Sequence, residues 1–319
     1  MELSSLSNCL WAAAKLQEAQ PEVLKAVPSL AEGIVQKVES MDPKAISNCL
    51  WAAAKLHESE PHVLEAVPSL AEGIVQKVES MDPQAISNCL WAATCLHESE
   101  PRVLQAVPSL AKCIAQKAER MTSQQLSNCL WAAAKLQEAE PEVLQAVPSL
   151  AKCIVQKVAS MDPSSLSNCL WAAAKLQEAE PEVLKAVPSF AKCMLQKVES
   201  MEPSSLSNCL WAAATLQEAE PEVLKAVPSL AKCIAQEAER MTSAQLSNCL
   251  WAAARLHLSE ASDVPNFLPS IASKILRTAA AMAVRDLEAS AWAARELGEF
   301  DLEAALQGEI ARRNVYSRL

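Results

Sequence analysis

The chain has 319 residues, of which 51% are apolar and 21% are charged, and its formal net charge is −10. This composition excludes a disordered chain, because disordered segments have too few apolar residues to form a core. The acidic balance argues against a surface that coats nucleic acid nonspecifically. No apolar run approaches the ~20 residues that a membrane-spanning helix needs, so we expect no membrane segment.

The N-terminal sequence MELSSLSNCLW leaves no visible room for a signal or transit peptide. We therefore expect either a cytosolic or nuclear protein, or a mature form or fragment that has lost its leader. No polar capping helix precedes the first repeat. We expect its outer face to be exposed and to allow end-to-end contact with a partner.

The segment SNCLWAA recurs seven times at 40-residue intervals, starting at residues 7, 47, 87, 127, 167, 207 and 247. Repetition with a period of ~20–50 residues is typical of stacked-repeat architectures. A degenerate eighth copy surrounds Trp292. We predict an all-α solenoid, with seven helical-hairpin repeats over residues 1–282 and a degenerate eighth repeat and C-terminal cap over residues 283–319.

Each repeat begins with a predicted helix that we call helix A. We count the second repeat from Pro43 as position 1, and its apolar residues at positions 4, 7, 8, 11 and 14 follow the spacing of one helical face. Asp42 is placed to cap this helix, and Thr122 with Gln125 has the spacing of a capping box in another repeat. We expect helix A to end before Pro61.

The second half of the repeat predicts a short turn and then a second helix, which we call helix B. Leu70, Ile74, Val78 and Met81 form its apolar stripe. Neither helix can bury its apolar face alone, so stacking of repeats must supply the core. We expect Trp51, and its equivalents, to serve packing between repeats rather than base stacking, with helix A covered on two sides.

Twelve cysteines are present, seven at one position of helix A and four at one position of helix B. No CxxC pair or neighbouring histidine has metal-ligand spacing. We interpret the cysteines as buried, reduced side chains, which indicates a reducing compartment and no bound metal.

Positions 2, 6 and 13 of helix A lie within about 40° of one another and predict a polar groove along the stacked repeats. Position 6 is an asparagine column, position 13 a broken basic column, and position 2 is variable. The candidate residues are Asn8, Asn48, Asn88, Asn128, Asn168, Asn208 and Asn248; Lys15, Lys55, Lys135, Lys175 and Arg255; and Lys44, Gln84 and Gln124.

Each column has a structural alternative. The asparagines could hydrogen-bond a neighbouring backbone or helix end instead of a base. Lys55 could form an ordinary surface ion pair with Glu58, three residues further along the helix. If neither holds, the lysines and arginine suit a phosphate backbone and the amides suit base edges, with one repeat per nucleotide and about seven or eight nucleotides bound.

The run LSNCLWAAAKL resembles the helix A signature of octotricopeptide-type repeats, which are related to the repeats of FAST-kinase-like and RAP-domain proteins. The resemblance covers nearly the whole chain and matches at the Asn, Leu-Trp-Ala and following Leu. It implies a helical-hairpin solenoid that binds RNA in a chloroplast or mitochondrion, in RNA processing, stability or translation. The repeat is 40 residues rather than about 38, and no RAP module follows residue 284.

No nucleophile and base pair, phosphate-binding glycine loop or metal cluster is visible in the sequence, so we expect neither an enzyme nor a cofactor. Two functions remain. The first is binding of single-stranded RNA, which should weaken with salt. The second is a protein-interaction scaffold that uses the acidic surface, for which the lysines could be replaced without effect but charge reversal in the QEAEPE turns could not.

Overall fold

The structure is a computed structural model that describes residues 3–257 and 267–316. Three segments lie outside the described residues, namely 1–2, 258–266 and 317–319. The last of them is the end of the predicted C-terminal cap. The helices A are α1 (Leu3–Leu16), α3 (Pro43–Leu56), α5 (Pro83–Leu96), α7 (Ser123–Leu136), α9 (Pro163–Leu176), α11 (Pro203–Leu216), α13 (Ser243–Arg255) and the degenerate α15 (Val284–Glu296). The helices B are α2 (Val27–Lys37), α4 (Val67–Lys77), α6 (Val107–Lys117), α8 (Val147–Lys157), α10 (Val187–Lys197), α12 (Val227–Glu237) and α14 (Leu268–Thr278), and α16 (Phe300–Tyr316) follows.

The chain forms two compact units, Met1–Lys157 and Val158–Leu319. Within the first unit, α3 packs against α1 and α5, and α5 packs against α7. Within the second, α11 packs against α9 and α13, and α13 packs against α15. The predicted all-α solenoid of helical hairpins is therefore confirmed. The division into residues 1–282 and 283–319 stays a prediction.

The predicted helix starts have the expected capping chemistry. Asp42 Oδ1 accepts a hydrogen bond from Ala45 N at 2.8 Å, and Thr122 and Gln125 form a capping box. Pro61 begins a 3-10 helix that replaces the predicted turn and ends at Ala66. Because proline lacks a backbone N–H, the chain cannot continue the α-helical ladder through this position.

Helix B is shorter than its apolar stripe predicts. In the second repeat it ends at Lys77, and Val78–Ser80 form a 3-10 turn. Leu70 and Ile74 are fully buried, while Val78 and Met81 are 6% and 2% exposed. The stripe is buried as expected, but its last two members reach the core from the 3-10 turn and the extended residue after it.

Ten of the twelve cysteines are buried, and all twelve are free thiols. Burial raises the pKa of Cys49 to about 12 and also raises the pKa of Cys89, so these side chains remain protonated and apolar at neutral pH. Cys9 is exposed and Cys95 is half-buried, so the prediction of burial is wrong for these two.

A lysine at the end of helix B joins successive repeats. Lys117 Nζ donates to Glu79 O and Met81 O of the preceding repeat, at 2.7 Å each. Helix C-termini leave carbonyl groups without intrahelical partners, so a cation is favourable there. The same pair of bonds recurs at Lys77, Lys157 and Lys197.

Replacing Lys117 with methionine removes both bonds but keeps the aliphatic stem. We expect the free energy of unfolding to fall by about 1–2 kcal/mol, because two carbonyls lose a charged donor. Urea unfolding of both proteins measures the difference. The matched control is Lys112→Met on the same helix, whose exposed side chain forms no ion pair in the described part of the chain and should leave stability within about 0.5 kcal/mol. Equal effects of the two substitutions would show that the bonds of Lys117 to the preceding repeat do not stabilise the protein.

The last described helix, α16, packs against α15 and α14. Arg313 Nη1 donates to Met282 O at 2.6 Å, and Arg313 Nη2 donates to Ala279 O at 2.9 Å. These bonds satisfy carbonyls at the end of the seventh repeat. Among the helices described, none is both long and apolar enough to cross a membrane.

Candidate binding face of helices A

The asparagine column is accessible and almost free of protein partners. Asn8 and Asn248 are exposed, and the other five are half-buried. Among the described residues, only Asn88 of this column forms a hydrogen bond, since its Oδ1 accepts from Gln84 Nε2 at 2.8 Å. The structural alternative, a bond to a neighbouring backbone or helix end, is therefore wrong for all seven.

Position 2 lies beside the asparagines, as predicted. Lys44, Gln84 and Gln124 are all exposed. Gln84 contacts its own Asn88 and also accepts from Gln125 Nε2 of the next repeat at 2.9 Å. Gln84 thus contributes to contact between repeats, and Lys44 and Gln124 present their polar groups to solvent.

The tryptophans form ladders across repeats within each unit. Ring centroids lie 6.4 Å apart for Trp11 and Trp51 and for Trp51 and Trp91, and 6.0 Å apart for Trp211 and Trp251. Such separations are typical of favourable aromatic pairs. The expected packing between repeats is present, but Trp11 remains 43% exposed and Trp51 is only half-buried. Helix A is covered on two sides by the helices A of adjacent repeats, as predicted, but its tryptophans are only partly buried by these contacts.

The basic column lies on these indole rings. Lys15 Nζ is 4.8 Å from the ring centroid of Trp51 in the next repeat and 5.5 Å from Trp11 on its own helix. Lys55 bridges Trp51 and Trp91 in the same way, at 6.0 and 4.8 Å. Cations over indole faces are attracted by about 0.5–1 kcal/mol at exposed sites. Lys135, Lys175 and Arg255 also lie over tryptophans on their own helices.

The alternative of an ion pair between Lys55 and Glu58 is wrong, because Lys55 forms no ion pair in the described part of the chain and contacts the two indoles instead. Sequence reasoning missed this partner. The signal was available, since Trp51 precedes Lys55 by four residues and residues four apart share a helical face. Both side chains therefore belong to one surface with the asparagines, which we call the Asn-Trp-Lys face.

The basic column is interrupted at Cys95 and Thr215, and an open cavity lies near each interruption. The cavity in the first unit is about 540 Å³ and includes Glu18, Lys55, Glu58 and Trp91. The cavity in the second unit is about 440 Å³ and is lined at equivalent positions by Glu178, Thr215, Glu218, Trp251 and Arg255.

Position 15 also takes part in contact between repeats. Gln17 Nε2 donates to Lys55 O of the next repeat at 3.0 Å, whereas His57 Nδ1 lies 3.1 Å from Ala54 O of its own helix. Across residues 3–257 and 267–316, no three His, Cys, Asp or Glu side chains are grouped so that they could hold a metal ion.

The chain matches no family model, and no curated protein matches it. Among known structures it is similar to a homology model of the full-length AP-3 complex in an intermediate open conformation, with a TM-score of 0.44 and 12% identity over 98% of this chain and 63% of that one. It is also similar to a circular tandem repeat protein with novel repeat topology and enhanced subunit contact surfaces, with a TM-score of 0.29 and 14% identity over 97% and 94% of the two chains. The class of this protein, a helical-repeat scaffold, rests on its own architecture.

Proposed function

We propose that the protein binds single-stranded RNA along the Asn-Trp-Lys face of each unit. The observation that supports this most directly is the asparagine column. A side-chain amide offers both a donor and an acceptor, and a packed scaffold normally pairs such groups. Six of the seven amides have no protein partner in the described part of the chain, so they are available to base edges.

The spacing of the repeats suits a strand whose bases are separated from one another. Successive indoles lie 6.0–6.5 Å apart, about twice the ~3.4 Å per nucleotide along one strand of a duplex. A single strand in this register would be unstacked, which exposes the Watson–Crick edge of each base. Lys15 and Lys55 lie over these indoles, so cations that suit phosphates accompany the row of rings.

The resemblance to octotricopeptide-type repeats supports the same ligand and adds an organelle location, in a chloroplast or mitochondrion, to the proposal. To test the proposal, we would select from a randomised RNA pool and measure the affinity of the selected RNA at several salt concentrations. We expect selective binding that weakens as salt rises. Absence of binding, or an affinity that does not change with salt, would reject it.

Asn128→Ala tests whether the asparagine column recognises bases. We expect the affinity for selected RNA to fall by about 1–3 kcal/mol and the base preference to relax at one position, with no change in melting temperature. Glu142→Gln, at an exposed position of the same repeat, is the control that should leave base preference unchanged. A lower melting temperature with unchanged base preference would instead assign Asn128 a structural role.

A second function, a scaffold for protein partners, is favoured by one observation. Position 16, in the turn that follows helix A, carries an exposed glutamate in six successive repeats, three residues after the basic column. These residues are Glu18, Glu58, Glu98, Glu138, Glu178 and Glu218. Within each unit, exposed glutamates at this position attract basic surfaces and repel phosphates. RNA would then use the helices A, and a basic protein partner would use the turns that follow them.

A further inference from the structure

The cavities of the first and second units have equivalent linings, so the residues at each position can be compared. The same positions of three successive repeats line both cavities, and Leu184 is an additional lining residue of the second. In the first unit the middle repeat supplies Lys55, whose Nζ lies 4.8 Å from the ring centroid of Trp91. In the second unit the equivalent residue is Thr215, and its Oγ1 donates to Trp211 O of its own helix at 2.9 Å.

Trp251 therefore lacks the cation that other tryptophans receive from the preceding repeat. Lys175 Nζ lies 4.9 Å from the Trp211 centroid, one repeat earlier. Over Trp251, the described residues provide only Arg255, which is on the same helix and 5.9 Å from the ring centroid. Lys175 lies over Trp171 of its own helix at the same distance of 5.9 Å. Arg255 therefore occupies the position over Trp251 that a cation of the same helix takes, and the position that a lysine of the preceding repeat would take is open.

The charge of the lining suits a cation in that open place. Glu178 and Glu218 contribute two negative charges and Arg255 one positive charge, which gives a formal charge of −1. Both glutamates are exposed and belong to no ion pair among the described residues. An indole face with nearby carboxylates is a favourable environment for an ammonium group.

We propose that this cavity binds the side-chain ammonium group of a lysine from a protein partner, in the place over Trp251 that the chain's own lysine occupies in equivalent repeats. The cavity of about 440 Å³ has room for a lysine side chain. This site shares Trp251 and Arg255 with the Asn-Trp-Lys face but includes none of its asparagines, and its test uses no RNA.

The test follows the indole N–H signals of the protein by NMR, with the Trp251 signal assigned through Trp251→Phe. The probe is the capped tripeptide acetyl-Gly-Lys-Gly-amide, and its control replaces lysine with norleucine, which keeps the aliphatic stem without the charge. We expect the lysine peptide to shift the Trp251 signal saturably and the norleucine peptide to leave it in place. Thr215→Lys should weaken the response at least 10-fold, because its own ammonium then fills the site.

The reverse substitution provides an independent check. Lys55→Thr removes the ammonium from the cavity of the first unit and should create a new response at Trp91. The remaining indole signals report whether each variant stays folded. The proposal is overturned if the norleucine peptide shifts Trp251 equally, if Thr215→Lys retains the response, or if adenosine monophosphate shifts Trp251 while the lysine peptide does not, which would make the cavity a base site.

Discussion

Replacing Lys15, Lys55, Lys135, Lys175 and Arg255 together with glutamine is expected to remove most of the salt dependence of RNA binding. Each phosphate contact on a single strand contributes ~0.7 to the slope of log affinity against log salt, so five contacts contribute about 3.5. The unaltered protein should then lose affinity ~100-fold between about 50 and 200 mM salt. The variant should bind weakly at the lower concentration and change little with salt.

The control for this variant carries the same change in net charge on other elements. It replaces five exposed lysines, namely Lys25, Lys112, Lys152, Lys192 and Lys232. A general effect of net charge would weaken RNA binding equally in both variants and would contradict a specific role of the basic column. The scaffold function makes a different prediction for binding to a protein partner. It is supported if neither variant changes that binding and if replacing the exposed glutamates of position 16 with lysine abolishes it.

Leu50→Ala is expected to have the largest effect on stability. Leu50 is fully buried on α3, between the helices A of the first and third repeats. Truncation leaves a cavity and should lower the free energy of unfolding by about 2–5 kcal/mol. Because stability in a repeat array depends on interfaces between neighbours, amide hydrogen exchange should also accelerate in α1 and α5.

Val75→Ala in the same repeat is the matched control, since Val75 is 43% exposed. It should change the free energy of unfolding by less than about 1 kcal/mol. Urea unfolding and hydrogen exchange of both variants measure the two effects. Acceleration confined to α3 would show that the repeats do not share stability across their interfaces.

The architecture was predictable because it depends on local sequence signals that recur in successive repeats. Asp42 and Pro43 mark the start of a helix, Pro61 marks its end, and the apolar spacing of Leu50 and its neighbours determines the buried face. Each of these signals acts within a few residues, and the structure confirms them. The length of helix B was less predictable, because Val78 can reach the core from either an α-helix or a 3-10 turn.

The partners of the candidate face were not predictable to the same extent. The contact of Lys15 with Trp51 depends on how closely the helices A of successive repeats approach, which sequence spacing does not contain. The bonds of Lys117 likewise depend on carbonyls of the preceding repeat. The proximity of Trp51 and Lys55 on one helix was visible in the sequence. The Trp51 flanks of alanine and leucine indicated packing between repeats, which the structure shows, but not the contact with Lys55.

The bonds between repeats also bear on how the chain folds. Those of Lys117 span 38 and 36 residues, and that of Gln17 spans 38, so each interface joins segments that are close in a chain of 319 residues. A separation of 38 residues in a chain of 319 is about 0.12 of its length, so the contacts between repeats are local, and local contacts favour fast folding. Each repeat needs only the one before it to dock. We therefore expect the array to acquire structure progressively as it leaves the ribosome, before later repeats have been synthesised.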